Sequence, residues 1–358
     1  MKIRIIHHSA DCDGIMSATL AKMMFVNRPN NRYMQQHKNT FPEFYPYNYE
    51  TDAEWMHDFN PNETTFIFID ITPTIDWLRS CPAKTLITIF DHHKLKYQDI
   101  MEEVHVNQNI FVNYYFSDDK CGSKIFYDYI KEEITYGKSL SDVFGVSKVF
   151  ETKLDYLVGI VNDYDIWSFA INPDKQYRQI VRNFNAFLMK HIDELSFEQV
   201  IEDYSTVEMS NIGYEILRTK LPDNILTINN SCFNTNDKQV LFIGKATYEL
   251  QTSIQELASK EQWEHMLLMF CEENIEKDEV SISLCSAIPN TIDCAKEARK
   301  LVTTGGGHHE AAGCKMSLDD FAEFTSKFIE SVNSDEKLQS NNIKYRVKLQ
   351  NKFTNDWL

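Results

Sequence analysis

Lys2-Ile3-Arg4-Ile5-Ile6-His7-His8-Ser9-Ala10-Asp11-Cys12-Asp13-Gly14 is the stretch on which the fold turns. Lys2 to Ile6 predicts a short buried strand. The polar run from His7 to Ser17 then leads into Ile15, Met16, Ala18, Leu20, Ala21, Met23, Met24 and Phe25, a spacing that suits a helix better than a strand. Two later segments repeat the pattern. Thr65-Phe66-Ile67-Phe68-Ile69 ends in Asp70, with a turn at Thr72-Pro73 and a helix start from Thr74 to Leu78, and Thr85 to Phe90 ends in Asp91-His92-His93. Strand, polar end, then helix or loop is the rhythm of an α/β fold with a mostly parallel sheet flanked by helices. In such a sheet the functional groups gather beyond the carboxyl ends of the strands.

Farther along, Lys153 to Trp167 predicts a helix whose apolar face is Leu154, Leu157, Val158, Val161 and Ile166, with Asp163 and Asp165 near its carboxyl end. A helix dipole gives carboxylates no help there, so they call for a nearby cation or solvent. Asp174 to Leu221 is mainly helical, and Pro222-Asp223-Asn224 with Asn229-Asn230-Ser231 marks a boundary. A second, smaller α/β unit follows. It has strands at Val240–Gly244, His265–Phe270 and Val280–Leu284, helices at Tyr248–Ser259, Ile292–Leu301 and Asp319–Val332, and an edge strand at Ile343–Leu349. The expected division is 1–190, a helical connector 191–228, a second domain 229–335 and a tail or edge strand 336–358.

The 358 residues suffice for two ordinary domains. No apolar run approaches the length of a membrane span, and Met1 to Ile6 runs at once into His7-His8 without a signal-peptide core, so a cytoplasmic location away from membranes is expected. The eight cysteines are scattered with no Cys-x-x-Cys pair, which reads as reduced thiols. A formal charge of −17 without a basic stripe argues against tracking a long polyanion. A small phosphorylated substrate or a short oligonucleotide end fits better, because bound metal ions outweigh global charge locally.

Six of the 11 histidines fall in three adjacent pairs: His7-His8, His92-His93 and His308-His309. Taken singly, Asp13 or Asp70 reads equally well as a helix cap or turn residue, and Asp91-His92-His93 as a surface loop. Together, His7, Asp11 and Asp13 at a strand-to-helix transition, with Asp70 from a neighbouring strand, predict a metal site. Mixed carboxylate and imidazole ligation suits Mn²⁺, Fe²⁺, Co²⁺ or Zn²⁺, whereas Mg²⁺ prefers oxygen alone. A bridging carboxylate would hold two ions about 3.5–4 Å apart, the arrangement that activates water for phosphoryl transfer.

His7-x-x-x-Asp11-x-Asp13 with Ser17, Asp70 after a hydrophobic strand, Asp91-His92-His93, and Asp163 within Gly159-Ile160-Val161-Asn162-Asp163 resemble the four motifs of the DHH phosphoesterase superfamily. Gly305-Gly306-Gly307-His308-His309-Glu310-Ala311-Ala312-Gly313 resembles the glycine-rich signature of its DHHA1 domain, as found in nanoRNase-like and RecJ-like members. The resemblance implies two Mn²⁺ ions, with Mg²⁺ or Co²⁺ as substitutes. One would be held by His7, Asp11 and Asp70, the other by Asp13, Asp70, His92 and Asp163. It further implies a supporting role for Asp91, a place for His93 facing the scissile phosphate, and a phosphate contact from His308 across a cleft between the domains. His8 is assigned a structural place. Either His93 or His308 would stabilise or protonate the leaving oxygen.

The three glycines permit backbone conformations closed to other residues, and their N–H groups suit an anion. Gly305, Gly306, Gly307, His308 and Arg299 are therefore the expected substrate contacts. The chain departs from the family pattern at Ser283-Leu284-Cys285-Ser286, where Cys285 replaces an arginine; Arg299, Lys300 or Lys245 would have to compensate. Tyr164, Trp167 and Tyr248 are candidates for stacking on a base. The resulting expectation is a metal-dependent phosphodiesterase or exonuclease for short single-stranded oligonucleotides or small nucleotides, compatible with a homodimer. The alternatives are an exonuclease on longer strands and a nucleotide-binding regulatory module.

Overall fold

The computed structural model describes residues 2–9, 11–25, 42–48, 53–106, 109–166, 168–191, 197–219, 232–236, 239–245, 254, 257–258, 261, 265–274, 277–288, 291–307, 309, 311–334, 336–337, 339–340, 343–345, 347–348 and 351. The chain divides into two compact units, Met1–Tyr214 and Glu215–Leu358, and the division falls within the stretch 191–228 read as a connector.

The first unit is built on a five-stranded sheet. Its strands are β1 (Lys2–His8), β2 (Pro42–Tyr47), β3 (Thr64–Ile69), β4 (Leu86–Asp91) and β5 (Phe111–Phe116), in the order β2-β1-β3-β4-β5. All four pairings are parallel. Strands β1, β3 and β4 are runs of Ile and Phe because both of their faces are covered: Ile3, Ile5, Ile6, Phe66, Phe68, Ile69 and Ile89 are fully buried. The helices are α1 (Cys12–Phe25), α2 (Ile75–Ser80), α3 (Lys94–Val106), α4 (Gly122–Tyr129), α5 (Leu140–Phe144), α6 (Lys148–Asp165), α7 (Lys175–Lys190), α8 (Phe197–Asp203) and α9 (Thr206–Thr219).

On one face of the sheet, Trp55 packs edge-on against Tyr47, Phe68 and Trp77, with ring centroids 4.9–5.2 Å apart. This aromatic cluster continues through Ile87, Ile89 and Ile100 of α3. Beside it the buried Arg4 guanidinium donates to the carbonyls of Trp55 (2.7 Å) and His57 (2.6 Å) and pairs with the half-exposed Glu43 carboxylate (3.4 Å), which together satisfy its charge. On the opposite side, α1 is buried over nearly its whole length. Helix α6 begins at the Ser147 cap, whose hydroxyl accepts from Phe150 N–H, and ends at Asp165.

Strands β2 and β5 were not expected from the sequence. Pro42 and Pro46 obscure β2, yet proline is tolerated on a strand that ends the sheet. β5 alternates exposed and half-buried residues and so lacks the continuous apolar run that marks the inner strands.

The second unit holds a six-stranded mixed sheet, ordered β10-β11-β9-β8-β7-β6, from β6 (Cys232–Asn236), β7 (Gln239–Lys245), β8 (Met266–Asn274), β9 (Glu279–Ser286), β10 (Gly306–Gly307) and β11 (Ala311–Ser317). Among the described residues, β7 and β8 run parallel and the other neighbours antiparallel. Helices α10 (Cys294–Leu301) and α11 (Leu318–Asn333) cover one face, where Ile282, Leu284, Cys294, Ala298 and Phe321 meet. On the other face Cys285 lies with Ile254, Leu257, Leu268 and Phe270. The described residues between 343 and 348 are helical, where Ile343–Leu349 had suggested an edge strand; Tyr345 rests on the Cys285 cluster and Lys348 pairs with Glu261. A strand's alternation and one turn of helix are hard to separate over so short a run.

Candidate metal centre

Sheet register assembles the centre. His7 is paired with Ile69, and Ile69 with Phe90, so the next residues, His8, Asp70 and Asp91, arrive level with one another at the carboxyl edge. Asp70 leaves β3 in the left-handed region, φ 60°, which turns its carboxylate along the edge. The backbone of α4 comes so close that a Cβ on Gly122 would lie 2.5 Å from Asp70 Cα. Gly14 is confined in the same way, since a Cβ there would lie 2.1 Å from the His8 carbonyl oxygen, and its absence allows α1 to start directly against the end of β1.

Four carboxylates and two imidazoles converge here. His8 Nδ1 lies 2.6 Å from Asp11 Oδ2 and 3.6 Å from Asp70 Oδ2. Asp11 Oδ1 also accepts the Gly14 N–H (2.9 Å) at the start of α1. Asp70 Oδ1 is 3.3 Å from His92 Nε2, which is 3.2 Å from Asp165 Oδ2. Asp13 is buried and accepts two N–H groups from the first turn of α4, Gly122 (2.8 Å) and Ser123 (3.0 Å). Two trios, His8-Asp11-Asp70 and Asp13-His92-Asp165, each bring ligand atoms within 4.8 Å of one another.

The electrostatics are those of a site built for positive charge. Burial, then the proximity of Asp70, pushes the Asp13 carboxyl well above the usual range. Burial and Asp11 raise Asp70 to about 6, with His8 opposing. Burial, Asp13 and Asp70 push Asp165 well up. Burial disfavours the His8 imidazolium, yet hydrogen bonds to Asp11 and Asp70 carry it up to about 11. Asp70 Oδ2 and Asp165 Oδ2 are shut off from solvent and receive no hydrogen bond. A buried carboxylate oxygen without a donor is costly unless a proton or a cation meets it. The donor set of mixed oxygen and nitrogen atoms fits divalent transition ions.

A second arrangement adjoins the first. Asp91 is completely buried and accepts from His93 Nδ1 (2.7 Å), the His93 backbone N–H (3.3 Å) and the Tyr114 hydroxyl (2.9 Å). Although burial works the other way, His93 holds the Asp91 carboxyl far below the usual carboxylate range, and Asp91 in turn raises His93. With Nδ1–H committed to Asp91, the ring of His93 is held in one orientation.

Of the expected ligands, Asp11, Asp13, Asp70 and His92 come together. His7 and Asp163 do not join them, and His8 and Asp165 occupy the corresponding places. His7, on the opposite face of β1, keeps Nδ1 3.0 Å from the His8 carbonyl oxygen. Asp163 lies about 200° around α6 from Asp165. It accepts from Ser168 Oγ (2.9 Å) and from the Tyr177 hydroxyl, tying the end of α6 to α7. The signal for His8 was register, which requires knowing which strands pair. The signal for Asp165 was the helical phase set by Leu154, Leu157, Val158 and Val161.

In the second unit, Gly306 and Gly307 pair with Gly313 and Ala312, and Gly307 has φ 141°. Gly305 N–H donates to Val302 O (2.8 Å), and Arg299 Nε to Gly305 O (3.3 Å). His308 and Trp167 lie outside the described residues, as does Tyr248. Tyr164 stacks on Phe169, 5.6 Å between centroids. Cys285 is buried at 3% exposure in the sheet core, packed with Ile254, Leu257 and Leu268.

Residues 2–146 match the DHH family, N-terminal domain. The match spans all five strands of the first sheet and is a likeness of that stretch to the family's N-terminal domain. Solved structures similar to it include a pGpG-specific phosphodiesterase, PggH, from Vibrio cholerae (13% identity, 93% of this chain and 99% of that one, TM-score 0.34). Others are CDC45 from Entamoeba histolytica (11%, 99% and 95%, TM-score 0.39) and RecJ from Thermus thermophilus in complex with Mn²⁺ (11%, 99% and 52%, TM-score 0.40). These are distant likenesses, and no activity is transferred from them. A search of curated proteins finds no match. Among the described residues no helix is long and apolar enough to cross a membrane.

Proposed function

We propose that the chain is a dinuclear, Mn²⁺-using phosphodiesterase that removes nucleotides from short single strands or hydrolyses small nucleotide phosphates. One observation carries the reading: four carboxylates and two imidazoles crowd one sheet edge, with buried oxygens of Asp70 and Asp165 that lie beside imidazoles without accepting a hydrogen bond. His8, Asp11 and Asp70 would hold one ion, and Asp13, His92 and Asp165 the other, with Asp70 beside both through its contact with His92. Bound there, such ions supply a water of near-neutral pKa and neutralise charge developing on phosphorus.

The chain's own groups do the rest. Asp91 and Tyr114 fix the tautomer and tilt of His93, whose Nε2 holds a proton for the departing oxygen. Asp11 and Asp13, each anchored to backbone N–H groups at a helix start, do not swing when substrate arrives. By the family resemblance, the loop Gly305–Gly307 with His308 and Arg299 is the phosphate-gripping element, and the second unit is a DHHA1 domain. The net charge of −17 favours short substrates over long strands.

The test is a panel of DNA and RNA strands of increasing length, cyclic dinucleotides and 3′-phosphoadenosine 5′-phosphate with Mn²⁺, run beside metal analysis of the parent and of Asp70→Ala. Turnover that falls steeply with length, two ions per parent chain, and loss of both ions and of turnover in the variant are expected. Equal rates on long strands would replace the short-substrate reading with a strand exonuclease. Metal binding without hydrolysis of any substrate would leave a nucleotide-binding module.

A further inference from the structure

Helix α4 starts without a cap of its own. Cys121, the residue before it, makes no side-chain hydrogen bond to the helix, and a thiol is a poor stand-in for the oxygens that usually take the first free N–H groups. The acceptors come instead from two other helices. Asn162 Oδ1 of α6 accepts the Cys121 N–H (3.0 Å), and the two carboxylate oxygens of Asp13 in α1 accept those of Gly122 (2.8 Å) and Ser123 (3.0 Å). Three successive N–H groups are thus divided between a member of the metal cluster and a residue outside it.

Asn162 is buried and precedes Asp165 by one turn, so the two side chains stand about 60° apart on α6. Its Nδ2 donates to Asp163 Oδ1 (3.4 Å). One amide therefore joins the start of α4 to the carboxylates at its own helix end, to Asp163 by a hydrogen bond and to Asp165 through the turn between them. Asp165 Oδ2 lies 3.2 Å from His92 Nε2, the approach that closes the trio with Asp13. About two turns earlier a second tie joins the same helices, the Tyr127 hydroxyl donating to Asp155 Oδ1 (2.6 Å). Asp155 also meets Lys131 (2.9 Å) toward the surface, whereas Asn162 is enclosed at the metal edge.

Given the two-ion reading of the cluster, on which this role rests, we propose that Asn162 is a positioning residue for the Asp13-His92-Asp165 trio. It sets the rotation and depth of the end of α6 against α4, and so holds Asp165 where an ion shared with Asp13 would sit. Without the amide, α4 keeps its two hydrogen bonds to Asp13, and Gly122 stays wedged against Asp70. The end of α6 is the part released, and Asp165 moves with it. The His8-Asp11-Asp70 trio has no member on α6 and keeps its geometry.

Calorimetric titration of the full chain with Mn²⁺ tests this. Asn162→Ala should weaken one of two ions by about 10–100-fold, the loss typical of a residue that orients a ligand, and leave the other within about threefold. At Mn²⁺ levels that fill the parent, its electron paramagnetic spectrum should change from that of a coupled pair to that of an isolated ion. Tyr127→Phe, which cuts the distal tie, should lower the thermal melt and leave both affinities within about threefold. Asn162→Asp with Asp163→Asn in the same chain exchanges amide and carboxylate. The exchange keeps an oxygen for the Cys121 N–H and a donor between the neighbours, so it should restore the second ion. A parent that binds fewer than two ions overturns the two-ion reading and this role with it. With two ions in the parent, the role alone is overturned if Asn162→Ala leaves both affinities intact or weakens both alike. It is equally overturned if Tyr127→Phe weakens the second ion as much, or if the exchanged pair fails to restore it.

Discussion

At Asp70 a left-handed backbone carries a carboxylate that reaches both imidazoles of the centre, and its protonation is tied to the cation it awaits. Its folded pKa is raised to about 6, so its contribution to stability is fully present below the ordinary carboxyl value and is lost as pH rises through about 6. His92 is lowered to about 4, mainly by burial, and works against this trend over part of the same window, so a single substitution gives the cleaner reading. In chelator, Asp70→Asn should gain stability relative to the parent between pH 4 and pH 7 by on the order of 1–3 kcal/mol, measured by denaturant melts. A constant difference across that window would mean the carboxylate is not held in this environment. Asp163 and Asp165 offer a sharper contrast. Asp165→Asn should cost metal affinity more than the roughly 10–100-fold typical of supporting residues. Asp163→Asn should keep the metal and lose about 1–2 kcal/mol of stability with its hydrogen bonds to Ser168 and Tyr177. Calorimetric titration with Mn²⁺ beside thermal melts separates the two.

Elements decide what single residues cannot. The helix start at Gly122 supplies two N–H groups to Asp13 and leaves no room beside Asp70. Gly122→Ala should therefore cost about 1–3 kcal/mol of overpacking and weaken metal binding at the same time, as seen in paired melts and titrations. Normal metal affinity in that variant would mean α4 yields without moving Asp70. The strand-end positions of Asp70, Asp91 and His92 were legible in the sequence, because an apolar run ending in a polar residue is a local pattern. The choice of His8 over His7 was not, because a strand's two faces are told apart only by its neighbours. Asp165 in place of Asp163 was within reach of the sequence, because Leu154, Leu157, Val158 and Val161 set a helical phase that carries Asp165, and not Asp163, onto their face. β5 was missed since half of its side chains face outward, which blurs the apolar run.

On the scale of the chain, the proposed function assigns chemistry and recognition to separate units. The metal cluster lies wholly in the unit Met1–Tyr214, and the glycine loop in Glu215–Leu358. His308→Ala should accordingly raise KM several-fold or more while the metal content per chain stays at the parent value; loss of both ions would overturn that separation of roles. In the second sheet β7, β8 and β9 and the helices α10 and α11 were legible from alternation and from capping residues such as Asp293, whereas β6, β10, β11 and the helical turns after 343 were too short or too polar to declare themselves. Within the first unit the two halves of the cluster differ. Asp13 lends its oxygens to the amides of Gly122 and Ser123, at the positive pole of α4, while Asp11 opposite is ionised against His8. Under the two-ion reading, a cation beside Asp13 would share a carboxylate that already holds two helix-start N–H groups, against one on Asp11, so the two berths would be unequal. They should fill in sequence, the Asp11 berth first, which would make the second occupancy the one that metal supply governs.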